Sequence, residues 1–249
     1  LSGHWEAKGP RVLIVGTGGL GCPVSLGLAR GGVRRLTLMD PDRVEVTNLH
    51  RQLWHHPSDI GKPKVVSAAE KLSAAFPGLE VLACQERMTA SNAEGLFLAH
   101  DLVVDATDGP QDKFLLSDTA VRTGTPLVHG GALRLSGQVM VVRPGGPCLR
   151  CFFEAPPGGD DGLSCASVGV LGSLTGVIGA HQAVLGLRVL GFLQAPSPEE
   201  GVESLWTFDG RALSQRRVRV RKAKDCPVCA TGVGLGGSLE PEKARRRSC

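Results

Sequence analysis

Two kinds of side chain in this sequence are spaced for chemistry. The first is sulfur. Cys148-Leu149-Arg150-Cys151 and Cys226-Pro227-Val228-Cys229 form two C-x-x-C pairs, and together they offer the four thiolates of a tetrahedral structural zinc site. The long interval between the pairs means that a shared ion would clamp the end of the chain to its middle and contribute directly to folding. Either pair alone also reads as a redox dithiol. The second is a glycine loop, Gly16-Thr17-Gly18-Gly19-Leu20-Gly21, in the pattern G-x-G-x-x-G. There the missing Cβ atoms let backbone N–H groups and the positive end of a helix meet phosphate oxygens. Asp40 stands about twenty positions further on, where a carboxylate can accept the hydroxyl protons of a ribose. On these features alone a nicotinamide dinucleotide and ATP both fit.

These residues need a scaffold, and the hydrophobic pattern supplies one. Arg11 to Val15 reads as a short strand ending at Gly16, Gly19 to Arg30 as a helix, and Val33 to Met39 as the next strand, ending at Asp40. A β-α-β order of this length calls for a right-handed parallel crossover. The alternation continues with a helix at Lys64 to Phe76, a strand at Leu79 to Ala83, a helix at Ala93 to Ala99, a strand at Leu102 to Ala106, a helix at Pro110 to Arg122 and a strand at Pro126 to His129. The fold class that follows is α/β, a Rossmann-like doubly wound sheet. Past Gly130 the pattern changes. Leu133 to Arg143 alternates around Ser136-Gly137 like a hairpin, and Leu205 to Phe208 with Ser214 to Val220 reads as a second antiparallel pair, so the parallel sheet is expected to finish in antiparallel strands.

After Asp40 the sequence becomes specific. It runs Asp40-Pro41-Asp42-Arg43-Val44-Glu45-Val46-Thr47-Asn48-Leu49-His50-Arg51-Gln52, then Gly61-Lys62-Pro63-Lys64, and later Asp105-Ala106-Thr107-Asp108. With the glycine loop and both cysteine pairs, this resembles the adenylyltransferases that activate ubiquitin-like sulfur carriers in molybdopterin and thiamine biosynthesis, relatives of the ubiquitin-activating enzymes. The resemblance runs from Arg11 to Cys229. It implies ATP and Mg2+ as cofactors, with Zn2+ on Cys148, Cys151, Cys226 and Cys229. Gly16, Gly18, Gly19, Gly21, Asp40, Asn48, Arg51, Gln52 and Lys64 would bind the nucleotide, Arg51 and Lys64 as the cationic clamp on the triphosphate, and Asp108 would hold magnesium. Read from the residues alone, Asn48 and Gln52 could equally start a helix, Asp42 could assist Asp40 or turn the chain, and Asp108 could cap the Pro110 helix.

The resemblance further implies a reaction and its partners. The C-terminal glycine carboxylate of a small ubiquitin-like carrier ending in Gly-Gly would be adenylylated with release of pyrophosphate, as a step toward a thiocarboxylate. The family is dimeric, so a homodimer is expected. Cys165 precedes a long apolar helix, where a helix N-terminus favours the thiolate while Asp160 and Asp161 oppose it. It is a candidate catalytic or sulfur-relay thiol, with a spectator role as the alternative. Two departures stand out: no R-Y-x-R-Q string precedes Arg11, leaving truncation or loss of an arginine acting in trans, and no rhodanese-like domain follows Cys229, so sulfur is expected from a separate donor protein. The competing readings are an NAD(P)-dependent dehydrogenase, in which Arg51, Lys64 and Asp108 lack a joint role, and a carrier-binding scaffold that has lost turnover.

Composition sets bounds around these readings. The 249 residues are 42% hydrophobic and 21% charged, ample for a packed core and incompatible with wholesale disorder. Net charge is +4, Tyr is absent and aromatics are 4%, which disfavours base-stacking platforms; with no basic stripe seen outside the tail, no nucleic-acid partner is expected. Leu1 to Pro10 holds no apolar stretch behind a basic start, so the expected compartment is cytoplasmic. Val168 to Leu193 is long and apolar enough to raise a bilayer span. Its glycines, with Gly172, Gly176 and Ala180 at four-residue spacing, also fit a helix packed against protein in a homodimer interface, and no membrane partner is expected. Cys22 and Cys84 read as buried small hydrophobes and His181 as a satisfied core or interface group. Residues 1–231 are read as one adenylation domain with the 154–167 segment crossing its active site, and 232–249 as a disordered basic tail.

Overall fold

The computed structural model describes residues 9–153, 169–194 and 204–230. The expectations for Cys165, the 154–167 segment and the 232–249 tail lie outside the described residues. The chain runs β1 Arg11–Val15, α1 Gly21–Arg30, β2 Arg35–Met39, α2 Lys64–Ala75, β3 Glu80–Cys84, α3 Ala90–Leu98, β4 Leu102–Asp105, α4 Pro110–Thr123, β5 Leu127–Leu133, β6 Ser136–Val142, a single-turn α5 Arg150–Phe153, α6 Gly172–Val189, β7 Ser204–Asp209 and β8 Ser214–Arg219. One eight-stranded sheet orders them β3-β2-β1-β4-β5-β6-β7-β8. The first five are parallel, and β6, β7 and β8 join antiparallel. The α/β expectation and its antiparallel end therefore hold. The strand order reverses between β1 and β4, and a crevice opens there at the carboxyl edge.

Burial on both faces explains why the central strands are apolar along most of their length. Val12 and Ile14 of β1 pack toward α1, α2 and α6, while Leu13 and Val15 pack toward α3, α4 and the cysteines. Both faces are covered, so β1 and β4 present no solvent side. Each fully buried aliphatic side chain there stabilises the fold by about 1.5–3 kcal/mol.

Two local expectations are corrected. The hairpin does not turn at Ser136-Gly137: β5 continues to Leu133, and the turn falls at Arg134-Leu135. Gly137 is needed within β6, because a Cβ there would lie 2.5 Å from Ile178 of α6. Arg134 takes the turn instead, at φ 53°, held by hydrogen bonds that join it to Gly169 and Leu171. The second correction concerns charge. Arg216, Arg217, Arg219, Arg221, Lys222 and Lys224 are exposed on or just after β8, a basic stripe outside the tail. It lies along the sheet's edge, where like charge discourages pairing with another strand.

The long apolar stretch forms α6, and among the described residues no helix is long and apolar enough to cross a membrane. Its glycines are used inside the chain. A Cβ at Gly172 would meet His50 O at 2.7 Å, one at Gly179 would meet Pro23 Cγ at 2.4 Å, and Gly186 faces Leu28 and Leu102 at 3.2 Å. This spacing of seven lays α6 close along α1, behind the glycine loop. Gly176 faces open space, and Val177, Ala180 and Val184 are exposed.

Candidate functional site

Three helices, α1, α2 and α4, start around the crevice, and residues at or near their starts line one cavity of about 360 Å³. None of the three has a side-chain cap among the described residues. Their orphan donors and aligned dipoles make the cavity a site for an anion. The lining includes Gly16, Gly18, Gly19, Asp40, Asn48, Arg51, Gln52, Lys64 and Asp108. Gly21 lies one turn behind.

The glycine loop has the geometry its spacing foretold. Gly16 has φ +95°, and a Cβ there would sit 2.5 Å from Ala106 O; at Gly21 it would sit 2.0 Å from Gly16 O. Only glycine lets the loop double back onto β4. Asp40 receives the Thr17 N–H at 2.7 Å, the Thr17 hydroxyl at 3.0 Å and the Asp42 N–H at 2.9 Å. It therefore fixes the loop as well as facing the cavity. From the far side His55 braces the same loop, its Nε2 3.3 Å from Thr17 O and its Nδ1 3.0 Å from the Ser67 hydroxyl. Burial pushes its pKa below the usual 6.5, so it serves as a neutral donor to Thr17. Cys22 is buried, and burial pushes its thiol up to about 12; Cys84 is buried as well. Both behave as small hydrophobes. The His181 ring packs edge-on against Trp206 at 5.1 Å.

Lys64 opens α2 and is 7% exposed. A buried ammonium at the positive end of a helix opposes the local dipole, a conflict that an incoming anion would resolve. Its partner is Asp42 at 2.8 Å, a role neither sequence alternative for Asp42 anticipated. Arg51, in the turn just after the 3₁₀ segment Val46–Asn48, donates to Thr47 O at 3.0 Å and lines the cavity. Asn48 and Gln52 are buried on the same wall. Gln52 Oε1 is shielded from solvent without a hydrogen-bond partner among the described residues. An unmet polar group costs about 1–3 kcal/mol, so the amide is prepared for a ligand.

Asp108 is exposed on the opposite wall, beyond the carboxyl end of β4. The N-cap of α4 is Gly109, which removes the capping role for Asp108 and leaves its carboxylate toward the cavity. Asp112 lines the same wall, its carboxyl raised by burial. Sequence reasoning missed Lys113, which also lines the cavity, and the wholly buried Asp105 behind it. Asp105 receives the Thr107 N–H at 3.0 Å, the Thr107 hydroxyl at 2.7 Å and His129 Nδ1–H at 2.7 Å. Lys113 donates to Thr107 O at 2.7 Å and Gly130 O at 2.6 Å. The signal was an acid within an otherwise apolar strand, quoted above only as part of a motif. Thr175, tight against Gly19, was missed as well.

The four cysteines meet beside α4, away from the cavity lining. Their sulfurs lie within 4.8 Å of one another, with Cys148 to Cys226 at 3.6 Å, Cys148 to Cys151 at 3.9 Å and Cys151 to Cys229 at 3.2 Å. A tetrahedral ion with Zn–S bonds of about 2.3 Å requires sulfurs about 3.8 Å apart. The set fits zinc. The N–H groups of Ala223 and Cys229 point at the sulfurs of Cys151 and Cys226, the donors a thiolate cluster needs. Arg150, between the first two cysteines, holds Asp118 of α4 by paired bonds of 2.8 to 3.0 Å.

The chain is similar in sequence and in fold to known proteins. The ThiF family matches residues 5–228. The adenylyltransferase and sulfurtransferase uba4 of Aspergillus fumigatus is 41% identical over 247 residues, covering 94% of this chain and 50% of that protein. The adenylyltransferase and sulfurtransferase MOCS3 of Culex quinquefasciatus is 40% identical over 247 residues, covering 98% and 55%. The chain thus spans about half the length of the curated relatives it matches. Among solved structures, E. coli MccB with ATP superposes at a TM-score of 0.75 and 20% identity, over 89% of this chain and 67% of that one. MccB with MccA-N7isoASN gives 0.78 at 20% identity, over 90% and 67%. At that identity the structural likeness speaks to fold.

Proposed function

The chain belongs to the ThiF family, and from that premise we propose that it adenylylates the C-terminal glycine carboxylate of a small ubiquitin-like sulfur carrier at the expense of ATP. A carrier carboxylate oxygen attacks the α-phosphorus, the bond from that phosphorus to the bridging oxygen breaks, and pyrophosphate leaves with the electron pair. The products are an acyl adenylate and pyrophosphate. The observation that carries this reading is the pairing of anion-receiving elements with an acid on opposite walls of one cavity. Lys64 and Arg51, which follow β2, and Asp108, which follows β4, flank the α1 N-terminus in its lining.

The residues divide the work as follows. The N–H groups at the start of α1 and the cations Lys64 and Arg51 would hold the phosphates, and a developing negative charge in such a site is stabilised without reorganisation. Asp40 would accept from the ribose with its remaining lone pairs. Gln52 would turn its amide to the nucleotide, satisfying the orphaned group, and Asn48 supports the same wall. Asp108, exposed and uncapping, is the residue that would hold Mg2+, which when bound neutralises phosphate charge as pyrophosphate departs. Zn2+ would sit on the four cysteines and tie the end of the described chain to α4. Cys165 would act after adenylylation, when a sulfur nucleophile attacks the acyl carbon and AMP leaves. The exposed Val177, Ala180 and Val184 of α6 would face a second copy of the chain.

Pyrophosphate exchange against a panel of purified carriers tests the reading. Exchange is expected only with a carrier ending in Gly-Gly and is expected to vanish in Asp108→Ala at an unchanged melting temperature. A destabilised but fully active Asp108→Ala would overturn the assignment. Oxidation or reduction of a nicotinamide cofactor in place of exchange would return the site to the dehydrogenase class.

A further inference from the structure

Behind the Asp108 wall lies a charged network that the reaction above does not use. The Asp105 carboxylate is 0% exposed, so no substrate atom reaches it. Burial pushes its pKa upward, but Lys113 and His129 outweigh that and hold it at about 2. Both of its oxygens are engaged. Oδ1 accepts the two Thr107 donors, Oδ2 accepts His129 Nδ1–H, and the Lys113 ammonium lies 3.4 Å from each. His129 is fixed in turn by the Gln138 amide N–H, 3.2 Å from its Nε2, a geometry that requires the neutral ring. Burial, against the pull of Asp105, lowers the pKa of His129 in agreement.

We infer, resting on the adenylylation reading, that Lys113 and His129 are positioning residues for magnesium binding: by clamping Asp105 they fix the Thr107–Asp108 turn from which the Asp108 carboxylate enters the nucleotide cavity. Three observations carry this. Thr107 immediately precedes Asp108 and gives both of its donors to Asp105, which sets the direction in which the chain leaves β4. The turn has no other anchor of that kind, since α4 starts without a side-chain cap among the described residues. Lys113, although on the cavity wall, directs its ammonium at Thr107 O, Gly130 O and the Asp105 carboxylate. Its three protons are used inside the protein, so it is not a further phosphate cation. A buried ionic cluster is also a poor way to gain stability, because apolar residues of similar volume often do as well or better. Its return lies in geometry. Residues that orient a metal ligand typically contribute a factor of about 10–100 in metal affinity.

The test is the affinity of the full chain for Mn2+–ATP, read by electron paramagnetic resonance, with a melting curve on each sample. Binding is expected in the unmodified protein and its loss in Asp108→Ala. Lys113→Met and His129→Leu are expected to weaken it about tenfold or more per folded molecule. His129→Asn, whose amide N–H can replace Nδ1–H, is expected to recover most of the loss. Lys113→Met and His129→Leu variants that melt lower yet bind Mn2+–ATP with unchanged affinity would overturn the inference, leaving the network a staple between β4 and β5. If Lys113→Met does not fold, the His129→Leu and His129→Asn pair decides alone, since His129 lies off the cavity. Absence of Mn2+–ATP binding in the unmodified chain, or unchanged binding in Asp108→Ala, would instead bring down the adenylylation reading itself.

Discussion

The nucleotide cavity and the cysteine cluster hang on one sheet but are assembled differently. The cavity collects short segments that follow three neighbouring strands, Gly16–Gly21 after β1, Asp40 to Lys64 after β2 and Ala106–Asp108 after β4, at the edge where any open parallel sheet offers a crevice. Its polar groups suit a ligand: among the described residues Gln52 Oε1 has no hydrogen-bond partner, Lys64 is buried against a helix dipole, and α1, α2 and α4 carry no side-chain cap. The cysteine cluster joins residues 78 positions apart, and its groups aim at one another rather than outward. One region holds unmet interactions that a ligand completes; the other would be completed by an ion that stays. Damage to the first should therefore be read in rate, and damage to the second in stability.

Lys64→Ala offers the sharpest break. Losing a cation from the phosphate site is expected to reduce carrier-dependent exchange by roughly 10²–10³-fold, while the melting temperature moves by no more than about 2 °C, because a buried charge at a helix N-terminus contributes little to stability. Cys226→Ser should do the reverse. A three-sulfur site is expected to cost several kcal/mol, which for a chain of this size lowers the melting temperature by roughly 10 °C. Affinity for ATP per folded molecule should hold. A fall in affinity without a fall in melting temperature would show that the cluster belongs to the nucleotide site.

Gly179→Ala tests the contact between these extremes, where α6 backs the glycine loop. The added Cβ would press on Pro23 Cγ at 2.4 Å and Leu20 O at 2.7 Å, costing about 1–3 kcal/mol and loosening the start of α1. Gly176→Ala, facing open space, should be neutral or stabilising by up to about 1 kcal/mol. Equal melting shifts in the two variants would contradict the packing.

The last comparison is electrostatic and is read in acid. Asp105 has a folded pKa of about 2 against an ordinary 3.8, so its contribution to stability is complete above pH 3.8 and is lost as pH falls from there through 2. Acid unfolding should accordingly shift to higher pH in Lys113→Met, whose carboxyl loses its cation. Unchanged acid midpoints would show that Lys113 does not hold the charge.

What was legible in the sequence follows the same division. The parallel sheet could be read from runs such as Val12–Val15 and Leu102–Val104, because strands buried on both faces are apolar at nearly every position. The glycine loop and the cysteines were legible because only those residue types can do what the positions require. The turn at Arg134 was not: it depends on bonds to Gly169 and Leu171, which are distant in sequence, whereas Gly137 looked like a turn and serves packing. The basic β8 edge was read past because its arginines alternate with apolar residues and so resemble any exposed strand. Lys113, Asp105 and His129 escaped because no spacing rule links a strand end, a helix turn and a neighbouring strand. Only the sheet brings them within hydrogen-bonding distance.

The central claim is that this cavity joins an adenylyl group to a carrier's terminal carboxylate. Incubating the full chain with ATP, Mg2+ and a carrier ending in Gly-Gly, then weighing the carrier by mass spectrometry under mildly acidic conditions, tests it most directly. The account predicts a carrier heavier by one adenylyl group, absent when the terminal glycine is removed and absent with Asp108→Ala. A carrier whose mass never changes, although the protein binds ATP and remains folded, would contradict it.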